Sequence, residues 1–391
     1  MTGRRVVAVL AIVFFALPLG LRAAGVKARP FENRALAPPP SADAGWEFFD
    51  ETTRFFVDRM PLREQAVRAY SWTAQHMLDT SPSWRRELLA GEPLTAAQPQ
   101  LKDPQTPAAT DPASGDTRVA SSPVLRGSDG WLYVADELGR ACTRATPWPV
   151  VVKRLEAIAR LISRSGRPVA IVIPADKSTI YPEHIDTKAA AELWRCAQAG
   201  RDKLWSLLEK TREPSLLGLR DDLLRAKRKT RDVLYHRKDT HWNYVGASVA
   251  VPPILERLGG VRARPGEIAP GPEQEYTGDL TVLLGTSETD TTPSRVVRRP
   301  EGAPLLPGTT LLLQDSFGNA LKPMLAPYTT TLATGLWVNL GVDQMWDMIN
   351  QADSVVIEIV ERELNPPLAD AARFTLLLDM LRAKPLPRPA G

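Results

Sequence analysis

Three residues in this chain have the types and the spacing of a nucleophile with its base. His241 is one of only four histidines in 391 residues, and Asp239 stands two positions before it in the segment YHRKDTHWNYVG. Ser316 stands in TTLLLQDSFGNAL, between an apolar run and a helical pattern. A serine hydroxyl needs a base to become nucleophilic near neutral pH, and the base needs a partner that fixes its tautomer. Nucleophilic catalysis by Ser316 with His241 and Asp239 is therefore one chemistry that these residues allow.

Both segments also have a structural interpretation, which the residues alone leave open. Aspartate and serine are favoured helix N-caps, and a DS pair after a strand is usually only a cap. Asp239 with His241 is equally consistent with a capping aspartate beside a solvated histidine. If Ser316 is the nucleophile, the backbone N–H groups of Ser316 and Phe317 at a helix start are candidates for an oxyanion hole.

Strands and helices that alternate after residue 124 must position these residues. The apolar runs of strand length are GWLYVA (130–135), PVAIVIP (168–174), DVLYHR (232–237), TTLLLQ (309–314), TTTLAT (329–334) and SVVIEIV (354–360), and helical patterns separate most of them. This order predicts an α/β fold for residues 124–391, with a doubly wound, mostly parallel sheet. Ligands in such sheets bind beyond the carboxyl ends of the strands. Ser316 and His241 each follow a predicted strand, as a site there requires.

The beginning of the chain has the pattern of an export segment. Arg4 and Arg5 precede VVAVLAIVFFALPLGL, which is uncharged. A basic start and a short apolar run predict a signal peptide or a signal anchor over residues 1–24. The run is slightly shorter than the roughly 20 residues that span a bilayer. We favour an uncleaved anchor in the inner membrane, with a cleaved signal peptide as the alternative, and either places the remainder outside the cytoplasm.

Two further segments precede the α/β domain. Residues 25–90 are predicted to be a tether followed by amphipathic helices, because aromatic and aliphatic residues recur at helical spacing from 46 to 79. Residues 91–123 are rich in Pro, Ala, Ser and Thr and lack apolar periodicity, which predicts a disordered linker. The net charge of +4 is too small to indicate a nucleic-acid partner.

Cys142 and Cys196 are the only cysteines. In an oxidising compartment a disulfide between them is favoured over two buried thiols. No H-E-x-x-H or C-x-x-C spacing indicates a metal site, and no G-x-S-x-G elbow or phosphate-binding glycine loop is present. The basic run RAKRKTRDVLYHRK (225–238) suits an acidic polysaccharide, anionic lipid headgroups or a solvated helix end.

Several blocks together resemble the SGNH hydrolase-like polysaccharide O-acetyltransferase family of the AlgJ and AlgX type, which belongs to alginate O-acetylation. They are GSDGWLYV (127–134), VIPADKSTIYPEHI (172–185), DTHWNYVGA (239–247), YTGDL (276–280), LQDSFGNAL (313–321) and VVIEIVEREL (355–364), with FENRALAPPP and FVDRMPLR upstream. They occur in the family's order across most of residues 31–364. The resemblance implies that Ser316 is the nucleophile, His241 the general base and Asp239 its orienting carboxylate.

The resemblance also implies an activity and its partners. The chain is expected to be a periplasmic O-acetyltransferase that moves an acetyl group through an acetyl-serine to hydroxyls of an exopolysaccharide, alginate-like or other. A membrane-bound O-acyltransferase would supply the acetyl group, and no cofactor is expected. One alternative is a carbohydrate acetyl-esterase with the same triad, because water and sugar hydroxyls need the same base. Another is a non-catalytic polysaccharide-binding subunit of an acetylation complex.

Further site residues follow from the same resemblance. The candidates for substrate binding are Lys177, Tyr181, Trp337 and Arg362, although packing or ion pairing explains each equally well, and Trp242 is expected to be a wall of the site. The sequence departs from the family pattern where the SGNH block GDS reads QDS, with Gln314 in place of glycine. The glycine and asparagine blocks that complete an oxyanion hole are not recognisable, which leaves Asn319 and Asn339 as candidate donors.

Overall fold

The computed structural model describes residues 124–135, 137–138, 146–185, 187–284, 286, 288–364 and 369–389, together with Val26, Pro39, Thr52 and Phe55. The chain divides into two compact units, residues 1–79 with 282–286 and residues 80–281 with 287–391. The second unit contains the sheet and the site. The predicted segments 1–24 and 91–123 lie outside the described residues. Within the predicted segment 25–90, Thr52 and Phe55 are helical. Among the described helices, none combines the length and hydropathy of a membrane span.

The described strands of the second unit form one central sheet and three small ones. In chain order they are β1 Val124–Arg126, β2 Leu132–Val134, β3 Val169–Ile173, β4 Leu216–Gly218, β5 Ile268–Pro270, β6 Gln274–Thr277, β7 Thr289–Thr292, β8 Arg295–Val297, β9 Leu306–Gln314, β10 Thr329–Leu336 and β11 Ser354–Glu358. The central sheet has the order β10-β9-β11-β3-β4, and every pair in it is parallel. One row across it joins Gly335, Leu313, Ile357, Ile171 and Leu216. The predicted α/β class with a parallel sheet is thus confirmed.

Helices cover the central sheet. They are α1 Trp148–Arg164, α2 Lys177–Ile180, α3 Thr187–Lys210, α4 Arg220–Lys229, α5 Tyr244–Leu258, α6 Asp279–Leu283, α7 Gly318–Leu325, α8 Val342–Gln351 and α9 Ala369–Ala383. One group, α1 with α3, α8 and α9, packs together, and a second group comprises α4, α5 and α7. Every residue of β3 and β11 is buried, which requires cover on both faces of the sheet.

The carboxyl ends of four central strands bring polar and aromatic residues to one edge. Asp176 and Lys177 follow β3, and Ser316 follows β9. Trp337 follows β10, and Arg362 lies just beyond β11 in a short 3₁₀ helix, Glu361–Leu364. Because the strands are parallel, these ends lie at the same edge, as the ligand rule for such sheets predicts.

Two of the predicted strands are wrong in type or place. Residues 232–237 (DVLYHR) form no strand of the central sheet and contain only an isolated bridge from Tyr235 to Trp242. Long-range side-chain bonds hold this segment instead, since Tyr235 Oη donates to the Ala175 carbonyl over 2.5 Å and Leu234 N donates to Tyr181 Oη over 3.0 Å. The other, GWLYVA, contributes β2, which pairs antiparallel with β1. His241 therefore lies in a loop between α4 and α5.

Candidate active site

Asp239, His241 and Ser316 form a continuous chain of hydrogen bonds at this edge. His241 Nδ1 lies 2.6 Å from Asp239 Oδ1, and His241 Nε2 lies 2.7 Å from Ser316 Oγ. An ionised carboxylate can only accept, so Nδ1 carries the proton and Nε2 is left to accept from the serine hydroxyl. Asp239 and His241 are buried, whereas Ser316 is half-buried. The structure thus brings together the three residues that the sequence singled out, in the geometry that general-base activation of a serine requires.

Backbone N–H groups fix the carboxylate of Asp239, which lies with His241 in the loop between α4 and α5, here called the histidine loop. Its Oδ1 also accepts from the His241 backbone N–H over 2.9 Å, and its Oδ2 accepts from the Asp279 backbone N–H over 2.9 Å. Each oxygen is therefore held by at least one N–H group in addition to the imidazole. This leaves the carboxylate little freedom to rotate away from His241.

Asp279, at the start of α6, supplies a second carboxylate beside the histidine. Its Oδ2 lies 3.5 Å from His241 Nδ1. It accepts from the Thr240 backbone N–H over 2.8 Å and from the Thr240 hydroxyl over 2.5 Å. Thr240 Oγ1 in turn lies 3.1 Å from His241 Nδ1. The site therefore contains four interlinked side chains behind Ser316, of which the sequence had indicated two.

Lys177 holds the same loop from the side of the sheet. Its side chain is fully buried, and its Nζ donates to the backbone carbonyls of His236, Arg237 and Asp239 over 3.2, 3.3 and 2.6 Å. Three carbonyls take all three ammonium protons. Lys177 therefore clamps the loop backbone and has no donor left for a substrate, which corrects its predicted binding role.

Trp242 joins the histidine loop to the turn that carries Ser316, here called the serine turn. It is fully buried, and its Nε1 donates to the Phe317 carbonyl over 2.8 Å. The next residue, Asn243, is the N-cap of α5, because its Oδ1 accepts from the N–H groups of Val245 and Gly246. The cap of this helix is thus Asn243, and the interpretation of Asp239 as a capping aspartate beside a solvated histidine is wrong.

The turn that carries Ser316 is held by its neighbour Asp315. Asp315 Oδ1 accepts from the Phe317 N–H over 2.8 Å, and its Oδ2 accepts from the Val360 N–H over 2.8 Å. Asp315 N donates to Glu358 Oε2 over 3.2 Å. The turn is therefore tied to the end of β11, while the Ser316 hydroxyl is left to face His241.

The predicted oxyanion donors differ in what already binds them. The Phe317 N–H is engaged by Asp315, which conflicts with its predicted role. The Ser316 N–H has no hydrogen-bond acceptor among the described residues, so it remains the candidate donor at this turn. Asn319 is exposed, and its Oδ1 accepts from Gln314 Nε2 over 3.1 Å. Gln314, in place of the family glycine, thus orients Asn319.

The remaining predicted substrate residues are mostly internal. Trp337 is fully buried with its Nε1 donating to the Glu358 carbonyl over 3.0 Å, and it packs edge-on against Phe374. Tyr181 is 5% exposed, and its hydroxyl accepts from Leu234 N. Aromatic rings that are buried in this way stabilise the core and cannot stack on a sugar, which corrects both predictions together with that for Trp242.

Arg362 is the member of that set that is only half-buried. Its Nη1 donates to Asp176 Oδ1 over 2.9 Å, and its guanidinium lies 4.9 Å from the centre of the Phe317 ring. Its side chain is 10% exposed. Its role in substrate binding stays a prediction.

The charges around His241 favour its protonated form. Burial alone lowers the pKa of His241, but the charge and hydrogen bond of Asp239 and the charge of Asp279 outweigh it, so the pKa is raised above 6.5. Burial raises the pKa of Asp239, but the charge and hydrogen bond of His241 bring it well below the ordinary value. Burial and the Asp239 charge raise the pKa of Asp279 to about 6. The imidazolium that forms when a serine is deprotonated is thus stabilised.

The same residues are the only described group with the spacing of a metal site. Donor atoms of Asp239, His241 and Asp279 lie within 4.8 Å of one another. The carboxylate oxygens already accept from the backbone N–H groups of His241, Asp279 and Thr240. This donor set is organised as a hydrogen-bond network, and we assign no metal to it.

The predicted disulfide is described at one of its ends. Cys196 lies in α3 and is disulfide-bonded. Cys142 lies outside the described residues, so the pairing of Cys142 with Cys196 stays a prediction.

Asp279 and Thr240 are the functional residues that the sequence alone did not assign. Asp279 is part of the block YTGDL, and Thr240 lies between Asp239 and His241. The block YTGDL contributes to the family resemblance, but the resemblance assigns no role to Asp279. Asp279 stands 40 residues from Asp239, and only the fold brings its N–H to that carboxylate.

Comparison with known proteins shows what this domain is similar to. Residues 124–312 match the family model of the SGNH hydrolase-like domain of acetyltransferase AlgX. A curated relative, the probable alginate O-acetylase AlgJ of Pseudomonas syringae pv. tomato, is 28% identical over 176 residues. That match covers 41% of this chain and 41% of the relative, so the chain spans less than half of that protein.

Two solved structures are also similar. The O-acetyltransferase domain of Pseudomonas putida AlgJ is 18% identical, with a TM-score of 0.40, and the match covers 66% of this chain and 98% of that one. Pseudomonas aeruginosa AlgX is 14% identical, with a TM-score of 0.40, and the match covers 61% of this chain and 62% of that one.

Proposed function

We propose that this chain is an O-acetyltransferase acting on hydroxyl groups of a polysaccharide, a proposal supported by the match of residues 124–312 to the family model of the SGNH hydrolase-like domain of acetyltransferase AlgX. One observation carries the proposal. His241 lies within hydrogen-bond reach of both Asp239 and Ser316, over 2.6 and 2.7 Å. A serine activated in this way is the nucleophile that acyl transfer requires.

The first half-reaction loads the serine. Ser316 Oγ attacks the carbonyl carbon of an acetyl ester while His241 Nε2 takes the hydroxyl proton. The tetrahedral oxyanion would accept a hydrogen bond from the Ser316 N–H. When the intermediate collapses, the bond to the donor oxygen breaks, and the imidazolium returns its proton to that oxygen. The donor alcohol leaves, and the acetyl group remains on Ser316 as an ester.

The second half-reaction unloads it. A sugar hydroxyl gives its proton to His241 Nε2 and attacks the acetyl carbon. The intermediate collapses by breaking the bond to Ser316 Oγ, which recovers the proton from the imidazolium. Asp239 fixes the Nδ1–H tautomer and stabilises the imidazolium in both halves. The product is an O-acetylated sugar and a regenerated serine.

The partners and the compartment are part of the proposal. The curated relative is named a probable alginate O-acetylase, which supports an exopolysaccharide as the acceptor class. We further propose a periplasmic location with residues 1–24 as an inner-membrane anchor, and a membrane-bound O-acyltransferase as the acetyl supplier.

An acetyl-ester donor assay tests the proposal and separates it from esterase activity. The full-length chain is incubated with a chromogenic acetyl ester, with and without an exopolysaccharide oligosaccharide. We expect acetyl groups on the oligosaccharide by mass spectrometry and a faster release of the chromophore when the acceptor is present. Hydrolysis that is unchanged by the acceptor would identify a carbohydrate esterase instead.

A matched variant controls for background reaction. Ser316→Ala removes the nucleophile and is expected to abolish both release and transfer. If polymer acetylation in cells is unaffected by Ser316→Ala, the chain is a non-catalytic subunit and the proposal is overturned.

A further inference from the structure

We propose that Asp279 is a positioning residue of this site, which fixes the tautomer and orientation of His241 through the hydroxyl of Thr240. The inference rests on the proposed function, because it concerns how His241 serves as a base. It assigns a role to a carboxylate that neither the sequence motifs nor the serine chemistry required.

The hydrogen bonds around the Thr240 hydroxyl have a defined direction. Its hydroxyl has one proton, and Asp279 Oδ2 lies 2.5 Å from the oxygen. A carboxylate only accepts, so the proton points to Asp279. The lone pairs of Thr240 Oγ1 are then directed elsewhere, and His241 Nδ1 lies 3.1 Å from that oxygen.

This direction determines which tautomer of the His241 imidazole is stabilised. The Nδ1–H faces two acceptors, Asp239 Oδ1 at 2.6 Å and Thr240 Oγ1 at 3.1 Å. Both stabilise the tautomer that leaves Nε2 unprotonated toward Ser316. Without an acceptor at Asp279, the Thr240 hydroxyl would be free to donate to Nδ1 and would favour the unproductive tautomer.

The third step is that Asp279 also holds Asp239. Its backbone N–H donates to Asp239 Oδ2 over 2.9 Å, and its side chain accepts from the Thr240 N–H over 2.8 Å. The backbone contact depends on the main chain alone, whereas the contacts to Thr240 need the carboxylate. A side-chain substitution therefore separates the two roles.

Charge gives the proposal a readout that loss of packing would not produce. Asp279 Oδ2 lies 3.5 Å from His241 Nδ1, and its negative charge raises the pKa of His241. The other titratable or charged groups that face the cluster are Asp239 and His236 of the loop, Lys177 of α2, Arg362 beyond β11 and Asp290 of β7. Removal of the Asp279 charge alone should therefore lower the pH at which His241 becomes a base.

The experiment follows the covalent labelling of Ser316 by a sulfonyl fluoride against pH, in the full chain. For Asp279→Asn we expect the maximal labelling rate to fall about 10- to 100-fold, as for a misplaced catalytic group. We also expect the acid limb of the pH profile to move to lower pH. Glu288→Gln is the matched control, because it removes an exposed carboxylate that pairs with Lys238 of the same loop, and it should behave as wild type.

Thr240 variants keep the test sharp if Asp279→Asn does not fold. Thr240→Val removes the hydroxyl and retains the shape, whereas Thr240→Ser retains the hydroxyl, so the valine variant should lose more of the rate. Equal rates for the two, or an Asp279→Asn profile identical to that of wild type, would overturn the proposal. Labelling that depends on Asp279 in a protein that transfers no acetyl group would contradict the proposed function and leave the positioning role intact.

Discussion

The indole Nε1 of Trp242 donates a hydrogen bond to the backbone carbonyl of Phe317 over 2.8 Å. Trp242 is adjacent to His241, and Phe317 is adjacent to Ser316. The contact is therefore a tie between the segment that provides the base and the segment that provides the nucleophile, across 75 residues of sequence. Trp242 is fully buried, so this bond is shielded from water.

Trp242→Phe should uncouple the two segments. The ring is kept in the core, but the Phe317 carbonyl loses its donor, which is expected to cost about 1–3 kcal/mol of unfolding free energy. We expect kcat to fall by about tenfold or more, because a small displacement of a catalytic group is costly. Urea unfolding and steady-state kinetics measure the two effects.

Trp337→Phe is the matched control for that prediction. Trp337 is also fully buried, and its indole donates to the Glu358 carbonyl over 3.0 Å. It should lose a similar unfolding free energy while kcat changes little. Equal losses of kcat in the two variants would show that stability alone, and not the tie to the serine turn, governs activity.

Lys177→Met should release the histidine loop. The substitution leaves the carbonyls of His236, Arg237 and Asp239 without their common donor, at an expected cost of about 3 kcal/mol. Activity should fall with it, since Asp239 belongs to the released segment. Lys227→Met is the comparison, because Lys227 is partly exposed and its Nζ donates to the Ile180 carbonyl and Glu183, away from the loop. A Lys177→Met protein with wild-type kcat would contradict the clamp.

Gly278→Ala should displace the same loop from the opposite side. A Cβ atom at Gly278 would meet the backbone of Lys238, including its carbonyl oxygen, and would lie 3.0 Å from the Asp239 N. Since backbone atoms cannot yield as a flexible side chain does, Asp239 must move, and we expect a marked loss of kcat. Gly218→Ala in β4 is the control, because its Cβ would approach only the Trp205 ring at 3.2 Å and Leu208. Comparable activity for the two variants would refute the prediction.

The pH dependence of kcat/KM should follow His241. The base must be neutral to accept the serine proton, and its pKa is raised above 6.5 because Asp239 and Asp279 outweigh the effect of burial. Activity should therefore rise with pH along an acid limb centred above 6.5, and Asp239→Asn should move that limb to lower pH. A wild-type limb centred well below 6.5 would contradict this assignment of charges.

The raised pKa of His241 should also make the unfolding free energy depend on pH, and its contribution should fall over the pH range in which activity rises. A group whose pKa is higher in the folded state binds its proton more tightly there. The contribution of His241 to the unfolding free energy is therefore complete below pH 6.5 and is lost as the pH rises through the folded-state pKa. Urea midpoints of wild type and His241→Gln measured across that interval provide the check.

The sheet was predictable from sequence because its strands carry a local signal. All five residues of β3 are apolar, β11 has an apolar centre, and every residue of both strands is buried. The apolar run at the end of β9 is buried as well, and it places Ser316 just after that strand. Helix α5 likewise forms over Tyr244–Leu258 although Pro252 and Pro253 lie inside it. In each case the residues that determine the element are those within it.

The histidine loop was not predictable in this way because distant residues determine it. The alternation in DVLYHR imitates a strand, yet Tyr235 bonds to Ala175 and Lys177 binds carbonyls 59 to 62 residues away. The same distance explains why the clamp by Lys177 was not predictable, since the family resemblance and the place of Lys177 near a strand end both suggest substrate binding. A polar residue after a strand suggests a ligand contact, and only the fold reveals that its protons are taken by the backbone.

Ser316 is proposed to carry the acetyl group between donor and acceptor. The most direct measurement is mass spectrometry of the chain after rapid quenching with an acetyl-ester donor in the absence of acceptor. We expect one added acetyl group on the peptide that contains Ser316, its absence in Ser316→Ala, and its loss when oligosaccharide is added. Acetyl transfer to the oligosaccharide by a protein whose Ser316 is never acetylated would contradict the account.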